Sequence, residues 1–124
     1  NLINCLKILN EVLNNLSPNK KKMTELAKFG YMTATDLADY LVKNHSMTFR
    51  SAYQKTAAIV NFAEKKKKRL EDLDIIELKR IEPKLTEEVM KIFNLKNSIN
   101  SKKSYGGTSF DNIKKMILKY KKQL

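Results

Sequence analysis

Two side chains able to move a proton or attack a carbonyl stand out because each is alone of its type. His45 is the single histidine and Cys5 the single cysteine of the 124 residues. A zinc site needs several Cys or His ligands at short spacing, and one of each does not provide it. We predict that His45 is an exposed loop histidine and that Cys5, surrounded by leucines, is a small buried apolar residue. A single cysteine also excludes an internal disulfide.

Paired carboxylates and a glycine pair are the other candidates for chemistry. Carboxylates near helix starts favour the positive end of the helix dipole, which explains their positions better than acid–base catalysis does; they are Asp72, Asp74, Glu87 and Glu88. The pair Gly106-Gly107 lacks a preceding strand and the pattern of a phosphate-binding loop. We therefore expect no catalytic residue, no metal ligand and no cofactor-binding residue in this chain.

The elements that position these residues should be helices and not strands, because residues that form turns are scarce. Three Gly, two Pro and 42% apolar residues predict an all-α fold with one modest core. The first segment has leucines at spacings of four and three, typical of a coiled coil or a long bundle: Leu2, Leu6, Leu9, Leu13 and Leu16. A second apolar stripe, Cys5, Ile8 and Val12, widens this face, so other helices should enclose it. An apolar helix at residue 2 without an initiator Met indicates a truncated chain.

Capping residues predict where the later helices begin. The predicted starts are Ser17-Pro18, Thr33 or Thr35, Thr48, Asp74, Thr86 and Thr108. Gly30 should end the second helix, and Pro83 should break the chain. The inward face of the longest helix, after Thr48, is predicted to include Phe49, Ala52, Tyr53, Thr56, Ala57, Val60 and Ala63.

The net charge of +12 raises the question of nucleic-acid binding. Only three of the 25 basic residues are Arg, whereas base-edge recognition depends heavily on the guanidinium group. Acidic residues between Glu71 and Glu88 oppose the lysine clusters nearby. We therefore predict a solvated surface without nucleic-acid binding. No apolar stretch is long enough for a membrane span, so we expect a cytoplasmic protein without a membrane partner.

Two strings are not explained by generic helix composition. They are Ala34-Thr35-Asp36-Leu37-Ala38-Asp39-Tyr40-Leu41-Val42 and Ser104-Tyr105-Gly106-Gly107-Thr108. Between them lie Phe49, Arg50 and Ala52, and then Asn97-Ser98-Ile99. This order and spacing resembles the C-terminal part of argininosuccinate lyase, in the fumarase and aspartase superfamily. The resemblance spans nearly the whole chain.

The resemblance implies the end of a long bundle helix (residues 1–30) followed by a small C-terminal helical domain (31–124). It also implies a cytoplasmic homotetramer that needs no cofactor and splits argininosuccinate into arginine and fumarate by β-elimination. In the family a serine on a flexible loop is the base, and no such loop occurs here. The expected partners are therefore the rest of the lyase subunit and its sister subunits, and the expected role is structural.

Two other functions remain open at this point. One is a free-standing lysine-rich helical module that binds nucleic acid, which steeply salt-dependent DNA binding would reveal. The other is a different lyase of the superfamily, such as fumarase or aspartase, which the preferred substrate of the intact enzyme would reveal.

Overall fold

Seven α-helices and two short 3-10 turns make up the computed structural model, which describes residues 1–28 and 30–123. The helices are α1 (Leu2–Asn14), α2 (Lys20–Ala27), α3 (Ala34–His45), α4 (Phe49–Lys65), α5 (Ile75–Lys79), α6 (Leu95–Ser101) and α7 (Phe110–Lys121). The 3-10 turns are Leu70–Asp72 and Glu87–Lys91. No strand occurs in these ranges, so the predicted all-α class is confirmed.

The core lies between α3, α4 and the segment that follows α4. Leu37 and Leu41 of α3 pack against the buried face of α4, and the later segment covers this pair with large apolar side chains. These are Leu70, Leu73, Leu78, Leu85, Val89 and Phe93. Ala38 is also buried on the inward face of α3, and Val42 packs at the edge of the core.

Helix α4 buries only part of the face that the sequence predicts: Ala52, Thr56 and Ala63 are buried, and Val60 packs against the core. Thr48 does cap it, accepting from the Ser51 amide at 3.3 Å. However, Phe49 and Tyr53 are exposed, while Ile59 is fully buried. The reason is steric: the buried face alternates Ile59 with the small residues Ala52, Thr56 and Ala63, which let α3 approach closely.

Of three further predicted starts, one is displaced by two residues, and two keep the predicted residue at the N-cap position. Helix α2 begins at Lys20 rather than at Ser17-Pro18, because Asn19 accepts from the Lys22 amide at 3.0 Å and supplies the cap instead. Thr33 precedes α3 but makes no capping hydrogen bond with its side chain. After Thr86 the chain forms a 3-10 turn, Glu87–Lys91, instead of an α-helix.

Helix α5 begins where the sequence predicts, after Asp74. Asp74 and Glu77 form a reciprocal capping box, in which each side chain accepts from the other residue's backbone. Gly30, predicted to end α2, has φ of +80° three residues beyond the last helical residue. Residue 29 and residue 124 lie outside the described ranges.

Helices α1 and α7 contain no buried residue. The five predicted seam leucines are between 53% and 74% exposed, and Leu16 lies beyond the end of α1. Within the described ranges, no helix is both long and apolar enough to cross a membrane.

Candidate functional site

Asp36, in the string of residues 34–42, is connected to the Asn97-Ser98-Ile99 segment. It lies in the first turn of α3, and its side chain is only 10% exposed. The Ser98 hydroxyl donates to one carboxylate oxygen at 2.5 Å, and the Lys102 ammonium group donates to the other. We call Asp36, Ser98 and Lys102 the motif junction. Through the motif junction, the Asn97-Ser98-Ile99 segment is joined to the start of the string of residues 34–42.

The glycine string, residues 104–108, follows Lys102 of the motif junction closely in the sequence. A Cβ atom added to Gly107 would be 2.2 Å from the Lys102 carbonyl oxygen and 2.9 Å from that of Ser104. The Ser109 amide donates to the same Lys102 oxygen at 3.1 Å, and the Asn112 side chain donates to the Ser104 oxygen at 2.8 Å. Gly107 is therefore required for close packing, whereas Gly106 has the left-handed φ of +76°.

This packing moves the predicted start of α7 by one residue. Ser109 is buried and accepts from the Asn112 amide at 3.4 Å, so Ser109 is the cap. The predicted cap, Thr108, is exposed. The hydrogen bond from Ser109 to Lys102 fixes Ser109 at the point where α7 begins.

The other motif residues divide between the core and the surface. Leu37, Ala38 and Leu41 are buried, and Ala34, Tyr40 and Val42 are half-buried. Exposed positions are Thr35, Phe49, Arg50, Ser104, Gly106 and Thr108. Phe49 and Arg50 take no part in the motif junction. No ion pair or hydrogen bond recorded among the described residues involves the Arg50 side chain.

Neither single residue suited to chemistry is where the sequence predicts. His45 is the last residue of α3 and half-buried, with its ring edge-on to Tyr40 at 5.4 Å between centroids. Helix α3 includes His45, so the ring is not in a loop, and its Nε2 is buried without a hydrogen-bond partner in the described structure. Cys5 is exposed because nothing in the described part of the chain covers α1.

A buried carboxylate that the sequence analysis did not single out holds the end of α4. Glu77 accepts from Lys66 at 2.5 Å, from Lys68 at 3.1 Å and from the Asp74 amide at 3.0 Å. The hydrogen bond from Lys66, with that from the Asp74 amide, lowers the pKa of Glu77 to about 2. We call Glu77, Lys66 and Lys68 the glutamate clamp. The sequence signal was an Asp-x-x-Glu pattern following a lysine run.

The described side chains offer no complete catalytic arrangement. Asp36 and Glu77 are each neutralised by lysine, so neither is a free base. The residues described contain no group of three His, Cys, Asp or Glu that could hold a metal ion. A cleft of about 500 Å³ beside Asp36 is lined by both carboxylates and lysines, among them Asp39, Lys43 and Lys91. The lining holds four lysines and two aspartates, and one lysine, Lys102, is already paired with Asp36.

These observations define the class of protein. It is an all-α domain in which the motif residues connect the helices by core packing and hydrogen bonds. The family model described as "Argininosuccinate lyase C-terminal" matches residues 31–100. The chain belongs to the argininosuccinate lyase family.

Relatives that match nearly the whole chain carry the same name. An argininosuccinate lyase of Pelagibacter ubique is 75% identical over 98% of this chain, which is 26% of that protein. Argininosuccinate lyases of Ehrlichia chaffeensis and Nitratiruptor are each 43% identical, over 91% and 90% of this chain and 24% of their own lengths. The chain therefore spans about a quarter of the length of these relatives.

Proposed function

We propose that this chain is the C-terminal quarter of an argininosuccinate lyase and serves it as a structural part. The complete enzyme would split argininosuccinate into arginine and fumarate by β-elimination, in arginine biosynthesis in the cytoplasm. The observation that carries the proposal is the 75% identity to the Pelagibacter ubique enzyme over 98% of this chain. It covers the motif junction and the helices around it.

The chemistry supports assigning the reacting groups to other parts of the enzyme. β-Elimination needs a base beside a carboxylate, donors for the resulting anion and an acid for the leaving group. The described carboxylates that are most buried are engaged by lysines, and His45 lies against Tyr40. The 124 residues alone are accordingly expected to be inactive.

The exposed α1 supports a place in a larger helical bundle. An apolar helix with no buried residue is unstable alone, because helix stability comes mostly from packing of the apolar face. We assign residues 1–30 to the end of the central bundle and residues 31–124 to the small C-terminal domain. Sister subunits of a homotetramer would then cover the leucines of α1.

A hybrid enzyme tests the proposal. In the hybrid lyase, this chain replaces the matching quarter of the Pelagibacter ubique protein. Fumarate release from argininosuccinate is followed, with the isolated chain and the Pelagibacter protein lacking that quarter as controls. We expect release from argininosuccinate by the hybrid lyase and none by either control. An inactive hybrid lyase would contradict the assignment of the chain to an argininosuccinate lyase, and fumarate release by the isolated chain would refute its structural role.

A further inference from the structure

The last helix has an apolar face that nothing in the described chain covers. Along α7 the apolar residues recur at three and four and form one stripe: Phe110, Ile113, Met116, Ile117 and Tyr120. Their exposed fractions lie between 40% and 56%. We call these five residues the α7 face.

The hydrogen bonds that connect α7 to the rest of the described chain all lie at its beginning. The recorded contacts are the Ser109 and Asn112 hydrogen bonds described above and one from the Phe110 amide to Asn100 at 3.4 Å. A twelve-residue helix with no packed face is marginal in water. The close packing at Gly107 nevertheless fixes the direction in which α7 leaves the domain. A fixed helix with an open apolar face is suited to docking on another surface.

Charge indicates what kind of surface covers the α7 face. Four lysines of α7 oppose a single acidic residue, Asp111, and these lysines are Lys114, Lys115, Lys119 and Lys121. No ion pair recorded among the described residues involves them. Two copies of this chain, each with a net charge of +12, would repel each other at this face. The partner must therefore combine an apolar groove with an acidic rim.

We propose that the α7 face docks into an apolar, acid-rimmed groove on the upstream three-quarters of the lyase polypeptide. This inference rests on the proposed function, because the relatives extend over about four times the length of this chain. That missing length provides a partner present in equal amount, and docking there would anchor the far end of the C-terminal domain. Helix α1 would attach the domain at one point and α7 at a second.

Trypsin cleavage within α7 tests the docking. The four α7 lysines are cleavage sites, and mass spectrometry measures the cleavage rate at each in the isolated chain and in the hybrid lyase. We expect cleavage about tenfold slower or more in the hybrid lyase, because docked segments open rarely. Ile117→Asp in the hybrid lyase should restore fast cleavage. Leu118→Asp should not, because Leu118, 61% exposed against 50% for Ile117, lies on the opposite side of the helix among the lysines.

The outcomes separate this inference from the proposed function. An active hybrid lyase whose α7 is cleaved as fast as in the isolated chain would overturn the docking and leave the function standing. Equal effects of the two substitutions would also overturn it. In the isolated chain, slow cleavage that becomes slower still at higher protein concentration would make a second copy the occupant, against the proposal. This measurement uses only the isolated chain, so it does not require the hybrid lyase to fold.

Discussion

Two substitutions on α4 test which face of this helix carries the core. Ile59 is fully buried, whereas Tyr53 is 63% exposed. Ile59→Ala removes three carbon atoms, which at about 0.8 kcal/mol each is about 2.4 kcal/mol of lost burial. The unfilled space raises the loss to about 3 kcal/mol or more. Tyr53→Ala should change the free energy of unfolding by less than about 0.5 kcal/mol.

Urea unfolding of the 124-residue chain, followed by circular dichroism, measures both effects. With a slope of about 1.5 kcal/mol per molar urea, Ile59→Ala lowers the midpoint by about 2 M and Tyr53→Ala leaves it nearly unchanged. Both variants gain an alanine in the same helix, so helix propensity changes in the same direction. A loss for Tyr53→Ala as large as that for Ile59→Ala would refute the reasoning and place Tyr53 on the buried face, as the sequence predicts.

Further predictions concern the glutamate clamp, the glycine turn and the basic surface. Because the pKa of Glu77 is lowered to about 2, its stabilisation is complete above about pH 4.5 and is lost as the pH falls toward 2. Glu77→Gln should lower the melting temperature at pH 7 and flatten this acid dependence, whereas Glu88→Gln, at an exposed position, should do neither. Gly107→Ala should destabilise the start of α7 by about 1 to 3 kcal/mol through its clash with Lys102, measured by amide hydrogen exchange of α7. Gly106→Ala, which meets open space, should cost only its left-handed backbone, about 1 kcal/mol, by the same measurement. Labelled DNA titrated at increasing salt should show no submicromolar binding by the chain, and steeply salt-dependent tight binding would favour the nucleic-acid module.

Local signals predicted much of the fold. The all-α class, the start of α4 at Thr48 and the start of α5 at Asp74 depend on capping chemistry within a few residues of the chain, and each is confirmed. The predicted face of α4 is confirmed at Ala52, Thr56 and Ala63. It is wrong at Phe49 and Tyr53, because apolarity and spacing alone do not reveal where a neighbouring helix needs small side chains.

The contacts of the site were less accessible to sequence reasoning. The motif junction joins Asp36 to Ser98 and Lys102 across more than sixty residues, and no local pattern fixes such a pairing. The cap at Ser109 depends on a carbonyl outside the helix, that of Lys102, which no capping pattern predicts. Cys5 was predicted to be buried, and in the described structure it is exposed on α1.

Cys5 also offers the most direct test of the account, because it lies on the apolar surface that the rest of the lyase is proposed to enclose. Iodoacetamide labelling of Cys5, quantified by peptide mass spectrometry, is compared between the isolated chain and the hybrid lyase, with the urea-unfolded chain as the reference. Rapid labelling in the isolated chain and strong protection in the active hybrid lyase are the predicted result. Equal labelling of Cys5 in both would contradict the claim that α1 is built to be enclosed by the remainder of the enzyme.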